Sequence, residues 1–254
     1  MLTDKEKKKN SFLWLDESQF HSIESKKRGV NTCSIYKSIP KLLKAFRRIY
    51  IKLNFLPISF WLESWNKRLS EFDVVIIHAS ILTPVVVRFI AKKNPKIRII
   101  VWYWNPVSKC VPVSSFPKRY CEIWTFDEVD AKKYQINYNT QYYFNDVDLE
   151  KESIEFDAFF VGSDKGRYAD LIGVENLLKE NNVKTYFHIV KSKKKLSKIN
   201  YPVAKLAYED VLLYISKSRA IVDVVSEKQA GLTLRPLESL FFLKKAYNYR
   251  SECC

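Results

Sequence analysis

The feature that most restricts the fold of this chain is a series of short apolar runs separated by helical patterns. The runs FDVVII (residues 72–77), IRIIVWY (97–103) and AIVDVV (220–225) are rich in β-branched residues and show no regular polar alternation. Such runs are typical of strands that are covered on both faces. Strands that alternate with helices at this spacing predict parallel sheets flanked by helices, and therefore an α/β protein.

A hydrophilic, acidic segment divides this pattern. Residues 145–155 (NDVDLEKESIE) interrupt the alternation of strands and helices, which starts again at Phe156. We therefore predict two Rossmann-like domains, residues 1–148 and residues 149–254. A chain of 254 residues suits two domains near the usual size of about 100–150 residues.

The segment QAGLTLRPLE (residues 229–238) follows the last apolar run and has the residue types of an anion site. Gly231 permits a close approach of the backbone to a ligand. Thr233 is expected to cap a helix whose N-terminal amides and dipole attract an anion. Arg235 offers a planar guanidinium to phosphate, and Glu238 can accept two hydrogen bonds from a vicinal diol such as a ribose. Together these residues predict a nucleoside diphosphate ligand.

A second segment, FVGSDKGR (residues 160–167), ends the first strand that is predicted after the acidic segment. Gly162 allows a sharp turn, and Lys165 and Arg167 carry positive charge to the start of the next helix. Because ligands of open α/β sheets bind at the carboxyl ends of strands, we expect these residues to join Arg235 at one site. Taken alone, each segment is also compatible with an ordinary strand–loop–helix and solvated charges.

Both segments resemble bacterial GT-B glycosyltransferases that build lipopolysaccharide and other surface polysaccharides. The resemblance lies in the patterns Q-x-G-L-T-x-R-x-x-E and F-V-G-x-D-K-G-R, in the pair Lys244 and Lys245, and in WYWNP at residues 102–106. It implies a GT-B fold, in which two Rossmann-like domains face a cleft. It also implies transfer of a sugar from a nucleotide-sugar donor to a growing lipopolysaccharide core, O-antigen or capsule, with Glu238 holding the ribose hydroxyls.

The expected partners follow from this resemblance and from the cationic side chains. They are a nucleotide-sugar donor and a lipid-linked or oligosaccharide acceptor. Fixed cations can stabilise a leaving diphosphate without a metal ion, so we expect neither a metal nor another cofactor. The three histidines are isolated, and the five cysteines have no metal-ligand spacing.

The end of the sequence departs from the family pattern. After Glu238 a GT-B domain continues through a further strand and helices, whereas residues 246–254 (AYNYRSECC) show no strand pattern. We therefore expect the second domain to be incomplete. A non-catalytic, truncated remnant of such an enzyme is the alternative function that this ending favours.

Positive charge is concentrated in the first part of the chain. The net charge is +15, and residues 1–100, with 20 basic and 8 acidic residues, contribute +12 of it. Residues 41–53 (KLLKAFRRIYIKL) have the spacing of a basic amphipathic helix. Such a helix either contacts an anionic membrane or packs on a sheet with its basic side chains in water. A nucleic-acid-binding protein is a further alternative, but no recognised nucleic-acid motif is present and no nucleic acid partner is expected.

The acceptor side needs a general base if the reaction inverts configuration. Asp16, His78 and Asp127 each follow a predicted strand at its carboxyl end. His78 is the leading candidate because imidazole exchanges protons near neutral pH, although a structural histidine is the common alternative at a strand end. Asp127 is more simply explained as a helix cap.

The location of the protein is expected to be cytoplasmic. No apolar run approaches the ~18 residues that span a bilayer. The apolar run at residues 12–15 is too short for the core of a signal peptide. A lipid-linked acceptor would place the protein at the inner face of the cytoplasmic membrane.

Overall fold

The computed structural model describes residues 11–16, 24–53, 57–144, 147–191, 204–225 and 231–249. The chain divides into two compact units, Met1–Thr140 and Gln141–Cys254, so the division precedes the domain boundary expected at residue 148. Both units are α/β, and all paired strands within each sheet are parallel. The predicted class, an α/β protein with two parallel-sheet units, is confirmed.

The first unit is built on a six-stranded sheet. Its strands are β1 (Phe12–Leu15), β2 (Asn31–Cys33), β3 (Val74–His78), β4 (Arg98–Tyr103), β5 (Glu122–Thr125) and β6 (Asn137–Tyr138). The strand order is β2-β1-β3-β4-β5-β6, so the order reverses between β1 and β3. At such a reversal the connections leave opposite faces of the sheet, which leaves room for a ligand at the carboxyl ends.

Helices accompany this sheet, and they differ in how much of their apolar surface they bury. They are α1 (Lys41–Leu53), α2 (Thr83–Lys93) and α3 (Glu128–Tyr134), with short 3₁₀ helices at Ile58–Phe60, Ser64–Lys67, Leu69–Glu71, Val107–Lys109 and Val113–Ser115. α2 buries Val86, Val87 and Ile90 completely. Pro84 lies in its first turn, where a missing backbone N–H costs nothing.

The second unit is built on a four-stranded sheet with helices on both faces. Its elements are β7 (Phe156–Ser163), α4 (Tyr168–Glu180), β8 (Thr185–Val190), α5 (Tyr208–Ser216), β9 (Ser218–Val224), α6 (Leu234–Phe241) and β10 (Lys245–Tyr249). Phe160 packs with Leu171 of α4 on one face, and Phe159 packs with Ile215 of α5 on the other. Alternate residues of a strand point to opposite faces, which explains why β7 is apolar throughout its centre.

The strand order of the second sheet is β10-β9-β7-β8, so the order reverses between β7 and β9. This places the carboxyl ends of those two strands at the reversal, as in the first sheet.

None of the helices in the described ranges is long and apolar enough to cross a membrane.

The expectation that the end of the chain lacks a strand is wrong. Residues 245–249 form β10, which pairs in parallel with β9 from Lys245 opposite Ala220 to Tyr249 opposite Val224. All five residues of β10 are exposed, so the strand carries no apolar signal in the sequence. Lys244 anchors its start, because Nζ donates to the carbonyl oxygens of Ser216 at 3.1 Å and Ser218 at 2.7 Å. That the second domain is incomplete stays a prediction.

Candidate functional site

The two predicted segments meet at the carboxyl edge of the second sheet, between β7 and β9. Arg235, in the first turn of α6, donates from Nε to the carbonyl oxygen of Val161 on β7 at 3.0 Å. Its Nη1 donates to Oδ1 of Asp223 on β9 at 3.2 Å. The strand order reverses at this point, which is where open α/β sheets bind ligands. The structure therefore brings Arg235 together with the segment 160–167.

Gly162 lies against the guanidinium of Arg235. A Cβ at residue 162 would overlap the guanidinium nitrogen Nη2 and would lie 3.2 Å from Cζ of Phe160. The guanidinium carbon is 4.8 Å from the Phe160 ring centroid, a cation–π distance. Gly162 lies within β7, so the expectation that it forms a sharp turn is wrong. Its lack of a side chain instead permits Arg235 of α6 to reach the strand.

Gly162→Ala is expected to lower the free energy of unfolding by about 1–3 kcal/mol, because the added methyl group pushes Arg235 away from Val161. Urea unfolding followed by circular dichroism measures the change. Gly173→Ala is the matched control, because a Cβ at Gly173, inside α4, meets no atom within 4 Å. Because glycine is unfavourable inside a helix, Gly173→Ala is expected to raise the free energy of unfolding by about 0.5–1 kcal/mol. If Gly162→Ala were as stable as wild type, the close contact between Gly162 and Arg235 would be contradicted.

Asp223 is the buried carboxylate around which these contacts are arranged. It is 2% exposed, and it accepts a hydrogen bond from Thr233 Oγ1 at 2.9 Å as well as from Arg235. Thr233 occupies the N-cap position of α6, as expected, but its side chain makes no capping hydrogen bond. The hydroxyl donates to Asp223 because a buried carboxylate needs donors. The expected cap is right in position and wrong in its hydrogen bond.

Arg167 follows a tight turn at the end of β7. Lys165 and Gly166 have φ angles of 47° and 90°, and the backbone N–H of Arg167 donates to the carbonyl oxygen of Asp164 at 2.8 Å. Glycine adopts a positive φ without cost, whereas a lysine does so only where the turn requires it. The turn leaves Lys165 exposed and Arg167 partly buried at the start of α4.

The guanidinium of Arg167 has hydrogen-bond donors that are not used within the described part of the chain. Its Nε and Nη1 are buried and have no hydrogen-bond partner there. Burial and then the positive charge of Arg235 lower the pKa of Arg167 to about 10, against the opposite effect of Asp223, Asp170 and Asp164. The group is still charged at neutral pH. An anion with several oxygen atoms would satisfy these donors once the groups that enclose them move aside, and it would reduce the repulsion between the two arginines.

Glu238 lies in the interior of the unit and not at its surface. It is 3% exposed, and its Oε1 accepts from Tyr208 OH at 2.7 Å. Tyr208 OH lies 2.6 Å from Tyr143 OH. Burial raises the pKa of Glu238, although the Tyr208 hydrogen bond and Arg235 act in the opposite direction. Because the carboxylate is enclosed here, the expected contact with ribose hydroxyls requires Tyr208 to leave it.

Gly231 lies at the start of a described range. It is partly buried, and the residues before it, 226–230 with Gln229 among them, are outside the described residues. The expected approach of phosphate to the Gly231 backbone stays a prediction.

A second cluster lies in the first unit, at the carboxyl ends of β1 and β3. His78 Nδ1 is 3.3 Å from Asp16 Oδ1, and Trp14 Nε1 donates to His78 Nε2 at 3.4 Å. The His78 ring lies 5.7 Å from that of Trp104. The Asp16 side chain is 2% exposed and that of His78 is 19% exposed. A carboxylate beside Nδ1 favours the tautomer in which Nδ1 carries the proton and Nε2 has the free lone pair.

Asp127 is committed to its helix. Its Oδ1 accepts from the backbone N–H groups of Val129 at 3.0 Å and Asp130 at 3.2 Å, so it caps α3. The interpretation of Asp127 as a helix cap is confirmed. Of the three candidate bases, the structure brings Asp16 and His78 together at the reversal of strand order in the first sheet.

Three residues of these clusters were not identified from the sequence. Asp223 had a signal, because it is the only charged residue in the run AIVDVV and a buried charge needs a partner. Asp164, which is completely buried, is hidden in a turn whose composition is that of a surface loop. Tyr208 had no signal, because its role depends on the position of Glu238, 30 residues later.

The described residues contain no group of three or more His, Cys, Asp or Glu side chains that could hold a metal ion. The fold and the clusters define an α/β protein with two parallel-sheet units, each with polar side chains at its reversal of strand order.

Neither a protein-family model nor a curated protein matches the sequence. Among solved structures, the chain is similar to the apo form of the lipopolysaccharide outer core galactosyltransferase WaaB, with a TM-score of 0.45 and 13% identity. The match covers 93% of this chain and 79% of that chain.

Proposed function

We propose that this protein is a metal-independent glycosyltransferase of the GT-B type. It transfers a sugar from a nucleotide-sugar donor to a growing cell-surface glycan, of the lipopolysaccharide core, O-antigen or capsule kind. The observation that carries the proposal is the charged guanidinium of Arg167, whose buried Nε and Nη1 lack partners within the described ranges. Arg235 lies close enough to lower its pKa, so the pair favours a ligand with several anionic oxygens, such as a diphosphate.

The position of these side chains supports the same ligand. They lie at the reversal of strand order between β7 and β9, and α6 begins there with Thr233 at its N-cap position. The first-turn amides and the dipole of a helix attract anions. In this proposal Arg167, Lys165 and the start of α6 contact the diphosphate, Gly231 brings its backbone close to it, and Gly162 and Asp223 position Arg235.

The proposed reaction joins an acceptor hydroxyl to the anomeric carbon of the donor sugar. The bond between that carbon and the diphosphate oxygen breaks, and its electron pair leaves with the diphosphate. Arg167 and Lys165 stabilise the negative charge that grows on this leaving group. His78 Nε2 accepts the proton of the hydroxyl, and Asp16 stabilises the resulting imidazolium.

Nucleotide binding tests the proposal. Thermal unfolding of the full chain is recorded with UDP, GDP, ADP, CMP and dTDP, because a ligand of the native state raises Tm. At least one nucleoside diphosphate is expected to do so. Arg167→Gln is expected to weaken its binding about 10–100-fold, since a hydrogen bond to a charged group contributes roughly 1.5–3 kcal/mol.

Arg219→Gln is the matched control. Arg219 lies near the amino end of β9, where it pairs with Asp157 at 3.2 Å, and its loss is expected to leave nucleotide affinity unchanged. The diphosphate site is wrong if no nucleotide raises Tm, or if the two arginine variants bind equally well.

A further inference from the structure

Helix α1 turns its apolar side to solvent. Leu42, Phe46, Ile49 and Leu53 are 87%, 54%, 57% and 60% exposed. Their spacing places them along one side of the helix, and we call these four residues the apolar stripe. Arg47, on the inward side, is only 8% exposed. A helix that packs on a sheet has the opposite arrangement, with its apolar side on the core and its basic side chains in water.

Specific contacts of the inward side hold the helix in this orientation. The guanidinium carbon of Arg47 lies 4.5 Å from the ring centroid of Tyr36, and Nη1 donates to the carbonyl oxygen of Lys37 at 3.1 Å. The rings of Tyr50 and Trp61 pack edge to face at 5.4 Å. Turning the apolar stripe inward would break all of these contacts. The exposed stripe is therefore a property of the folded unit.

The apolar surface continues beyond the helix. The ring of Phe46 lies 6.2 Å from that of Trp61, which in turn lies 5.1 Å from the ring of Phe60. Phe60 is 63% exposed. Phe46 and Phe60 thus flank the buried Trp61, and together with the stripe they form one exposed surface of aliphatic and aromatic side chains.

Positive charge borders this surface. Lys41 and Arg48 are exposed, and at 100° per residue they fall on one flank of the stripe, whereas the exposed Lys44 lies nearly opposite it. Residues 37–62 contain no aspartate or glutamate. A second copy of this chain is a poor partner, because it would bring two basic flanks together. The complementary partner is a surface with a negatively charged boundary and an apolar interior.

We propose that α1 and Phe60 dock this protein on an anionic phospholipid bilayer. The apolar stripe enters the boundary between headgroups and acyl chains, while the basic flank stays at the level of the lipid phosphates. The aromatic ring of Phe60 adds to the apolar area that leaves water. Both parts are needed. Burial of the apolar side chains in the bilayer provides binding free energy, and the basic side chains make binding selective for anionic lipid.

Co-sedimentation of the full chain with sucrose-loaded vesicles tests this proposal without any measurement of activity. Vesicles of phosphatidylcholine alone are compared with vesicles that contain phosphatidylglycerol, at low and high salt. The protein is expected to pellet with the anionic vesicles and to be released by salt, since exposed charges are screened. Phe46→Ser/Ile49→Ser is expected to weaken binding about tenfold or more.

A second pair on the same stripe, Leu42→Ser/Leu53→Ser, is expected to weaken binding to the same degree, which guards against a folding defect of one variant. Leu177→Ser is the matched control, because Leu177 of α4 is 58% exposed and lies outside the stripe. The proposal is overturned if wild type does not bind anionic vesicles, if both stripe variants bind like wild type, or if Leu177→Ser weakens binding equally. It is also overturned if the stripe variants abolish a dimer, seen by size exclusion, and leave vesicle binding unchanged.

Discussion

Replacing His78 with alanine is expected to lower kcat for sugar transfer about 10²–10⁴-fold, which is the usual contribution of a positioned general base. Asp16 Oδ1 lies 3.3 Å from His78 Nδ1, so Nε2 is the nitrogen that can accept a proton. The hydrogen bond from Trp14 to Nε2 is long, at 3.4 Å, and an acceptor hydroxyl can replace it. Initial rates with a donor of the nucleotide that raises Tm, and with a lipid-linked oligosaccharide acceptor, measure the change.

Two further measurements separate a catalytic from a structural role of His78. Nucleotide affinity of His78→Ala is expected to match wild type, because the residues proposed to bind the diphosphate belong to the second unit. Asp16→Asn keeps the size of the side chain but removes the charge beside Nδ1, and it is expected to lower kcat with little change in KM for the donor. If His78→Ala retained the wild-type kcat and pH profile, His78 would be a structural residue.

The strands that could be predicted from the sequence are those that are buried on both faces. β3, β4, β7 and β9 carry runs of apolar residues because helices or loops cover both sides of the sheet. β6 and β10 have exposed side chains and β2 has no buried one, so their sequences lack an apolar pattern, and backbone pairing with a neighbour defines them. Residues 141–144 (QYYF) form no strand, although aromatic residues favour strands.

The candidate site was predictable in its location and not in its contacts. The carboxyl-end rule and the glycines indicated that residues 160–167 and Arg235 would meet, which they do. The sequence could not show that Arg235 would be engaged by Val161 and Asp223, because that contact depends on the pairing of β7 with β9. For the same reason Arg167, rather than Arg235, has the donors that lack partners in the described residues.

The burial of Glu238 illustrates the same limit. A carboxylate one turn into a helix is equally compatible with a ligand contact and with an internal hydrogen bond. Packing decides between them, since α5 brings Tyr208 to 2.7 Å from Glu238. The raised pKa that burial gives Glu238 means that the group retains a proton to higher pH than an exposed glutamate, and a protonated carboxyl is a poorer acceptor for a diol.

Replacing Asp223 with asparagine is expected to lower the free energy of unfolding by about 3–5 kcal/mol, because it leaves a mostly enclosed guanidinium without its counter-charge. Asp223 Oδ1 lies 3.2 Å from Arg235 Nη1, and the two side chains are only 3% and 17% exposed. Thr233 loses its charged acceptor at the same time. Removal of this one charge therefore affects β9, the start of α6 and, through Arg235, β7.

The exposed pair of Arg219 and Asp157 provides the comparison for this effect. Its atoms are also 3.2 Å apart, but the side chains are 66% and 44% exposed, so Arg219→Gln is expected to change stability by only about 0–1 kcal/mol. Urea unfolding of both variants, monitored by circular dichroism, measures the difference. Because the two pairs have the same separation and each has one member on β9, burial is the main structural difference between them. Equal effects of the two substitutions would show that Asp223 does not organise the site, and that Arg235 is held by Val161 and Phe160 alone.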